Sequence, residues 1–171
     1  MPISLHKALV PSWLQLLASA KGWLDKAEAS ELSEASICEA RLSKDMLPFA
    51  YQVKSMAVHS IGAIEGVRAG AFSPDMSEPP ADFAAMRARL EETEQALAAV
   101  TEDEMESFIG RDMRFEITRA NIRMEFDAEE FLLSFSQPNF YFHATTAYDI
   151  LRHLGIEVGK RDYLGRPRMR T

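Results

Sequence analysis

Two of the four histidines in this sequence, His59 and His143, have the type and setting that site chemistry needs. His59 lies beside Met56 and Ala63 in a helix-forming stretch. His143 shares a helical side with Phe140, Ala147, Ile150 and Leu154, so it should point inward. Gln52 stands two turns before His59, and Asn139 one turn before His143. If the two helices face each other, Gln52, His59, Asn139 and His143 converge on one interior pocket. Bundle interiors build ligand and metal sites in this way, from side chains on facing helices. Neutral imidazole ligates zinc, nickel and iron. A small-molecule ligand is therefore one expectation, and a divalent metal, zinc or nickel, held by His59 and His143 is another. The competing reading is two hydrogen-bonded core histidines, the commoner fate of a histidine on an apolar face.

The remaining candidates are weaker. His6 lies in the first turn of the first helix and receives no role. His143 and His153 are separated by ten helical residues, ~15 Å of axis, too far to share an ion. The single cysteine, Cys38, permits no internal disulfide and has Glu34 and Glu39 nearby. Acidic neighbours raise a thiol pKa, so Cys38 reads as a quiet, half-buried residue in a reducing compartment. Glycine-rich phosphate loops, HExxH, GxSxG, CxxC pairs and a serine–histidine–acid run are all absent.

The elements that must position these residues follow from periodicity. Residues 4–28 read as a first helix, capped by Ser4, with Leu9, Trp13, Leu16, Ala20, Leu24 and Ala27 on one face. Pro11 should kink it or mark its true start. A connection follows, with a short helical piece near 33–40. A second helix is expected over 45–67, with Phe49, Val53, Met56, Ala57, Ile64 and Val67 as its stripe. Gly62 and Gly66 lie one turn apart there, which suggests close packing, since glycine is costly within a helix. Residues 70–81 contain Pro74, Pro79 and Pro80 and read as a loop. Asp82 caps a third helix to about Val100, carrying Phe83, Met86, Leu90 and Leu97 inward.

Between Met113 and Phe126 the period changes to two. Met113, Phe115 and Ile117, then Ile122, Met124 and Phe126, alternate with polar residues around a turn at 119–121, which predicts a β-hairpin with one buried face. A last helix follows from Asp127 to about Leu154, interrupted at Gln137-Pro138 and capped by Gly155. The tail beyond it reads as extended. The fold class expected is all-α: a four-helix bundle with a small β-hairpin between the third and fourth helices, forming one domain over residues 1–171.

Bulk properties exclude several classes. The chain has 171 residues, 47% hydrophobic and 26% charged, which is a globular and not a disordered composition. A net charge of −7 gives no reason to seek phosphate backbones, so no nucleic-acid partner is expected. The basic tail, with Lys160, Arg161, Arg166, Arg168 and Arg170, either docks on the body or a second subunit, or stays solvated. No apolar run approaches a membrane span, no signal peptide is evident, and a cytoplasmic location is expected. Phe140, Tyr141 and Phe142 cannot all face one core. Either that helix is buried all round or one side meets another subunit, which makes a homodimer a candidate.

The segment PNFYFHATTAYDILRHLGIEVGKRDYLG resembles the signature end of an uncharacterised bacterial family, the domain of unknown function numbered nineteen-ninety-three. ISLHKALVPSWLQLLASAKGWLDKAEA and ARLSKDMLPFAYQVKSMAVHS are similar to it as well, so the resemblance covers nearly the whole chain. That family is grouped with the DinB/YfiT-like helical bundles, some of which resemble thiol-dependent transferases or isomerases. The resemblance implies a metal set of one histidine on the second helix and a His-x-x-x-His pair on the fourth. His59 matches the first position and His143 the second. The third position is Ala147 here. Gln52, Asn139 or Tyr148 then remain as weaker members of a ligand pocket.

Overall fold

The stripes read from the sequence are the core. All six apolar positions of the first stripe are buried, as are all six of the second and the four of the third. They belong to a computed structural model that describes residues 2–170, so the two ends of the 1–171 domain reading, Met1 and Thr171, lie outside the described residues. α1 spans Leu5–Glu28, with Ser4 Oγ accepting from the Lys7 N–H, and runs through Pro11. α2 is Glu34–Glu39. α3 is Phe49–Val58 and α4 is Ile61–Ala69. α5 is Phe83–Ala98, started by Asp82, and α6 is Glu102–Glu106. α7, Ala128–Glu130, passes through a π-helical turn at Phe131–Ser136 into α8, Gln137–His153. α9 is Lys160–Leu164. α1 packs along α5, and α3 packs along α8.

The chain is thus mostly helical with a small sheet, and it departs from the expected pattern in several places. The second helix starts at Phe49, after Pro48, and divides at His59-Ser60. The Ser60 hydroxyl donates back to the Met56 carbonyl at 2.7 Å, a local bond that competes with the helical ladder. Residues 71–72, inside the expected loop, form strand β1, parallel to β2 (Asp112–Ile117). β2 pairs antiparallel with β3 (Ile122–Asp127), the expected hairpin, and the order is β1-β2-β3. The expected interruption at Gln137-Pro138 is not a break. Proline lacks an N–H and its ring crowds the carbonyl four residues back. The π-turn just before it widens the helix, with the Gln137 N–H donating to Leu132 O, five residues earlier.

The tail, expected to be extended, instead carries the short helix α9, and it docks on the body. α9 lies on α1, where the Tyr163 ring stacks on Trp23 at 5.7 Å and the Trp23 Nε1–H donates to Asp162 O. Gln15 Nε2 donates to Leu164 O, and Arg168 reaches Ser12 Oγ. On α8, Phe140 is fully buried, Tyr141 half-buried and Phe142 55% exposed, so the helix is enclosed on most sides but not all.

Close packing holds at only one of the two glycines. A Cβ at Gly66 would lie 2.9 Å from Phe72 Cβ and 3.3 Å from Met113 Cε, whereas at Gly62 the nearest atom is Ala57 O at 3.6 Å. The overlap at Gly66 outweighs the ~1 kcal/mol that alanine gains in a helix. Gly66→Ala is expected to destabilise the protein by about 1–3 kcal/mol in urea unfolding, and Gly62→Ala to be neutral or slightly stabilising.

Candidate functional site

The break in the second helix and the π-turn in the last one face each other. The break puts His59 at the C-terminal cap of α3, and Ser136, at the end of the π-turn, donates its hydroxyl to the His59 carbonyl at 3.0 Å. Ser136 is fully buried, so this bond is shielded from water. Two turns further along, on α8, stands His143. The two imidazoles lie side by side, with ring centroids 5.4 Å apart and planes 17° from parallel.

Gln52 fixes the orientation of His143. Its Nε2 donates to the Leu47 carbonyl at 2.8 Å, which leaves Oε1 as the acceptor for His143 Nδ1 at 2.7 Å. The proton of a neutral His143 therefore sits on Nδ1, and Nε2 carries the lone pair. His59 has a different environment. Its Nδ1 is buried without a partner, whereas Nε2 of neither ring is.

Aromatic rings surround the pair. Phe72 and Phe135 lie 5.7 and 6.2 Å from His59, and Tyr51 and Phe142 lie 6.0 and 5.4 Å from His143. Phe115, Phe126 and Phe131 continue the cluster behind Phe72 and Phe135. This apolar setting keeps both imidazoles neutral. Burial lowers His59 from 6.5 to about 3, with the neighbouring His143 pushing the same way. Burial alone lowers His143 to about 4.

The other sequence candidates fare unequally. Asn139 is half-buried one turn before His143, but its Nδ2 donates to Phe135 O at 2.7 Å within its own helix. Tyr148 is not brought to the pair. It packs on Trp23 and Tyr163 and lines a separate shallow cavity of about 160 Å³ with Thr145 and Lys160. Cys38 is buried, and burial, followed by Glu34, Asp82 and Glu39, pushes its thiol up to about 11. The aromatic wall was not singled out from the sequence. Phe72 follows Gly70-Ala71 in a segment read as loop, and Tyr51 and Phe135 carry no periodic mark of a site. Lys54 was missed as well. It is buried within α3, donates to the Asp75 and Ser77 carbonyls, and fixes the loop that follows β1.

Comparison with known proteins adds a family. The family described as Domain of unknown function (DUF1993) matches residues 5–164. The chain belongs to that family. No curated protein matches it. Among solved structures it is similar to the crystal structure of a DinB family member protein from Shewanella denitrificans at 1.83 Å resolution. The two are 27% identical, with a TM-score of 0.80 over 98% of this chain and 95% of that chain. This likeness agrees with a DinB-like superfamily.

The metal set that the family resemblance implies can be compared with the donors present. Among the described residues, no three or more His, Cys, Asp or Glu side chains come together as a metal site. Ala147, one turn beyond His143 and fully buried, supplies a methyl group. Structural and catalytic zinc sites take three or four protein ligands, so the two histidines do not make such a centre by themselves.

Both folded-state pKa values lie below the ordinary imidazole value, so the unfolded chain binds more protons below about pH 6.5. Stability should be fully present above that pH and fall as pH drops from 6.5 towards 4 and then 3. Denaturant unfolding between about pH 5 and 7, where carboxylates stay ionised, is expected to show this slope, and His143→Gln to reduce it. Gln52→Leu strands the His143 Nδ1–H and is expected to cost about 1–3 kcal/mol.

Proposed function

We propose that this DUF1993 chain is a small-molecule-binding protein of DinB-like fold, with His59 and His143 at its binding centre. The frame supports the bundle reading. If α3 with α4 is taken as one broken helix, and α7 with α8 as one continuous helix, four long segments form the body with α1 and α5. The observation that carries the functional reading is the bond from Gln52 to His143 Nδ1, which presents Nε2 as a fixed acceptor among aromatic rings.

The chemistry of the pair favours binding over proton transfer. An efficient general base has a pKa near the working pH, and imidazoles at about 3 and 4 are far below it. Neutral rings, with the His143 Nε2 lone pair held in place, no adjacent carboxylate ligand and apolar walls suit a planar, uncharged molecule that donates an N–H or O–H. A divalent metal, zinc or nickel, would have only two protein ligands and would be held weakly, completed by donors from the small molecule or water. The buried reduced thiol of Cys38 suits a cytoplasmic setting. No helix of the described residues is long and apolar enough to cross a membrane.

A probe panel of planar N–H donors, such as indole and benzimidazole, tests the reading by histidine side-chain proton–nitrogen NMR. The expected result is a shift of the His143 Nε2 resonance on adding probe, and a loss of the accompanying probe-induced shift at His59 in His143→Ala while the fold persists. A panel that saturates without moving either histidine would defeat the proposal. In a parallel calorimetric titration of untagged protein, zinc and nickel are expected to bind weakly. Stoichiometric binding tighter than about micromolar would show a metal centre and overturn this reading.

A further inference from the structure

The one buried face expected of the hairpin is realised on β2 and not on β3, because the core ends beneath β2. Met113 and Phe115 of β2 are buried, but on β3 Ile122 is 43% and Met124 37% exposed. Only Phe126 of β3 is half-buried, against Phe131 and Phe135. The apolar side of the sheet therefore runs past the edge of the core. Among the described residues, no strand pairs with the outer edge of β3. An open six-residue edge with apolar side chains along it is a template for pairing with another chain.

The register of β3 determines which residues offer backbone groups there. The Ala128 N–H donates to Arg111 O, just beyond the Asp112–Asp127 pair. In an antiparallel ladder hydrogen-bonded pairs alternate, so Phe126, Met124 and Ile122 turn their N–H and C=O groups toward β2. Arg123, Glu125 and Asp127 turn theirs outward. A second copy pairing antiparallel through this edge must then place outward residues opposite one another. Centred on Arg123 or on Glu125, such a two-fold sets like charges face to face. Centred on Met124, it sets Arg123 opposite the second copy's Glu125 and Glu125 opposite its Arg123. Ile122 then lies opposite Phe126, and the two Met124 residues meet as a non-hydrogen-bonded pair.

We propose that this edge joins two copies of the chain into a homodimer, with a continuous six-stranded sheet ordered β1-β2-β3-β3-β2-β1 and its two-fold at Met124. Arg123 and Glu125 are about 60% exposed and pair with each other along the strand in the single chain. On pairing they exchange that contact for two across the two-fold, while Ile122 and Met124 lose their exposure. The proposal is independent of the histidine site.

Sedimentation equilibrium over a concentration series tests it. The native chain is expected to dimerise within concentrations up to about 100 µM. Arg123→Glu and Glu125→Arg each set like charges opposite one another twice, and each is expected to weaken dimerisation about tenfold or more. The double exchange, Arg123→Glu with Glu125→Arg, restores opposite pairs and should recover it. Met124→Cys should form an intermolecular disulfide on mild oxidation, since facing residues of a non-hydrogen-bonded pair come close. A native chain that stays monomeric, a dimer indifferent to the charge reversals, or a dimer in which Met124→Cys fails to cross-link overturns the proposal.

Discussion

The structure turns on the contact between two helix irregularities. A helix that breaks in the core frees carbonyl groups that must find donors. Here the break after α3 exposes the His59 carbonyl, and Ser136 meets it from the π-turn of the facing helix. Each defect makes room for the other. Without the π-turn, Pro138 would crowd the carbonyl before it and Ser136 would be turned elsewhere. Without the break, His59 would be an ordinary helical residue, not a cap beside His143.

That contact also sets the electrostatics. The two imidazoles meet half-buried among aromatic rings, and no carboxylate ligand stands by to hold a proton. Desolvation of the charged form is then uncompensated, and both rings stay neutral over a wide pH range. Gln52 adds direction. Its amide is held at one end by the Leu47 carbonyl and has only an acceptor left for His143. A backbone carbonyl, through one glutamine, thus decides which imidazole nitrogen offers a lone pair. Such an arrangement is better at recognising a donor than at moving a proton.

A third consequence concerns the sheet. β1 lies along β2 directly after the helix that ends at Gly70, whose left-handed backbone turns the chain into the strand. This brings Phe72 between Gly66 and His59, so the close approach at Gly66 and the wall of the histidine pair are one packing feature. The sheet therefore covers one end of the site while leaving the outer strand β3 uncovered.

Much of this was legible in the sequence, because helical and strand periods report directly which residues are apolar on one side. The three helical stripes, the hairpin with its alternating residues, and the meeting of Gln52, His59 and His143 follow from spacing and from the assumption that two amphipathic faces pack together. The sequence also determined that Ala147 offers no metal ligand, since a methyl group cannot coordinate in any fold. What tertiary structure alone decided were the features in which one segment compensates another. Ser60 and Ser136 have unremarkable neighbours in sequence, yet together they stabilise a broken helix. Phe72 joins the site only because a two-residue strand finds β2. Tyr148 leaves it because Trp23 and Tyr163 form a better aromatic neighbourhood on the other side of α8. Periodicity describes each element by itself. The break, the π-turn and the aromatic wall arise from contacts between elements far apart in the chain, and these no local pattern encodes.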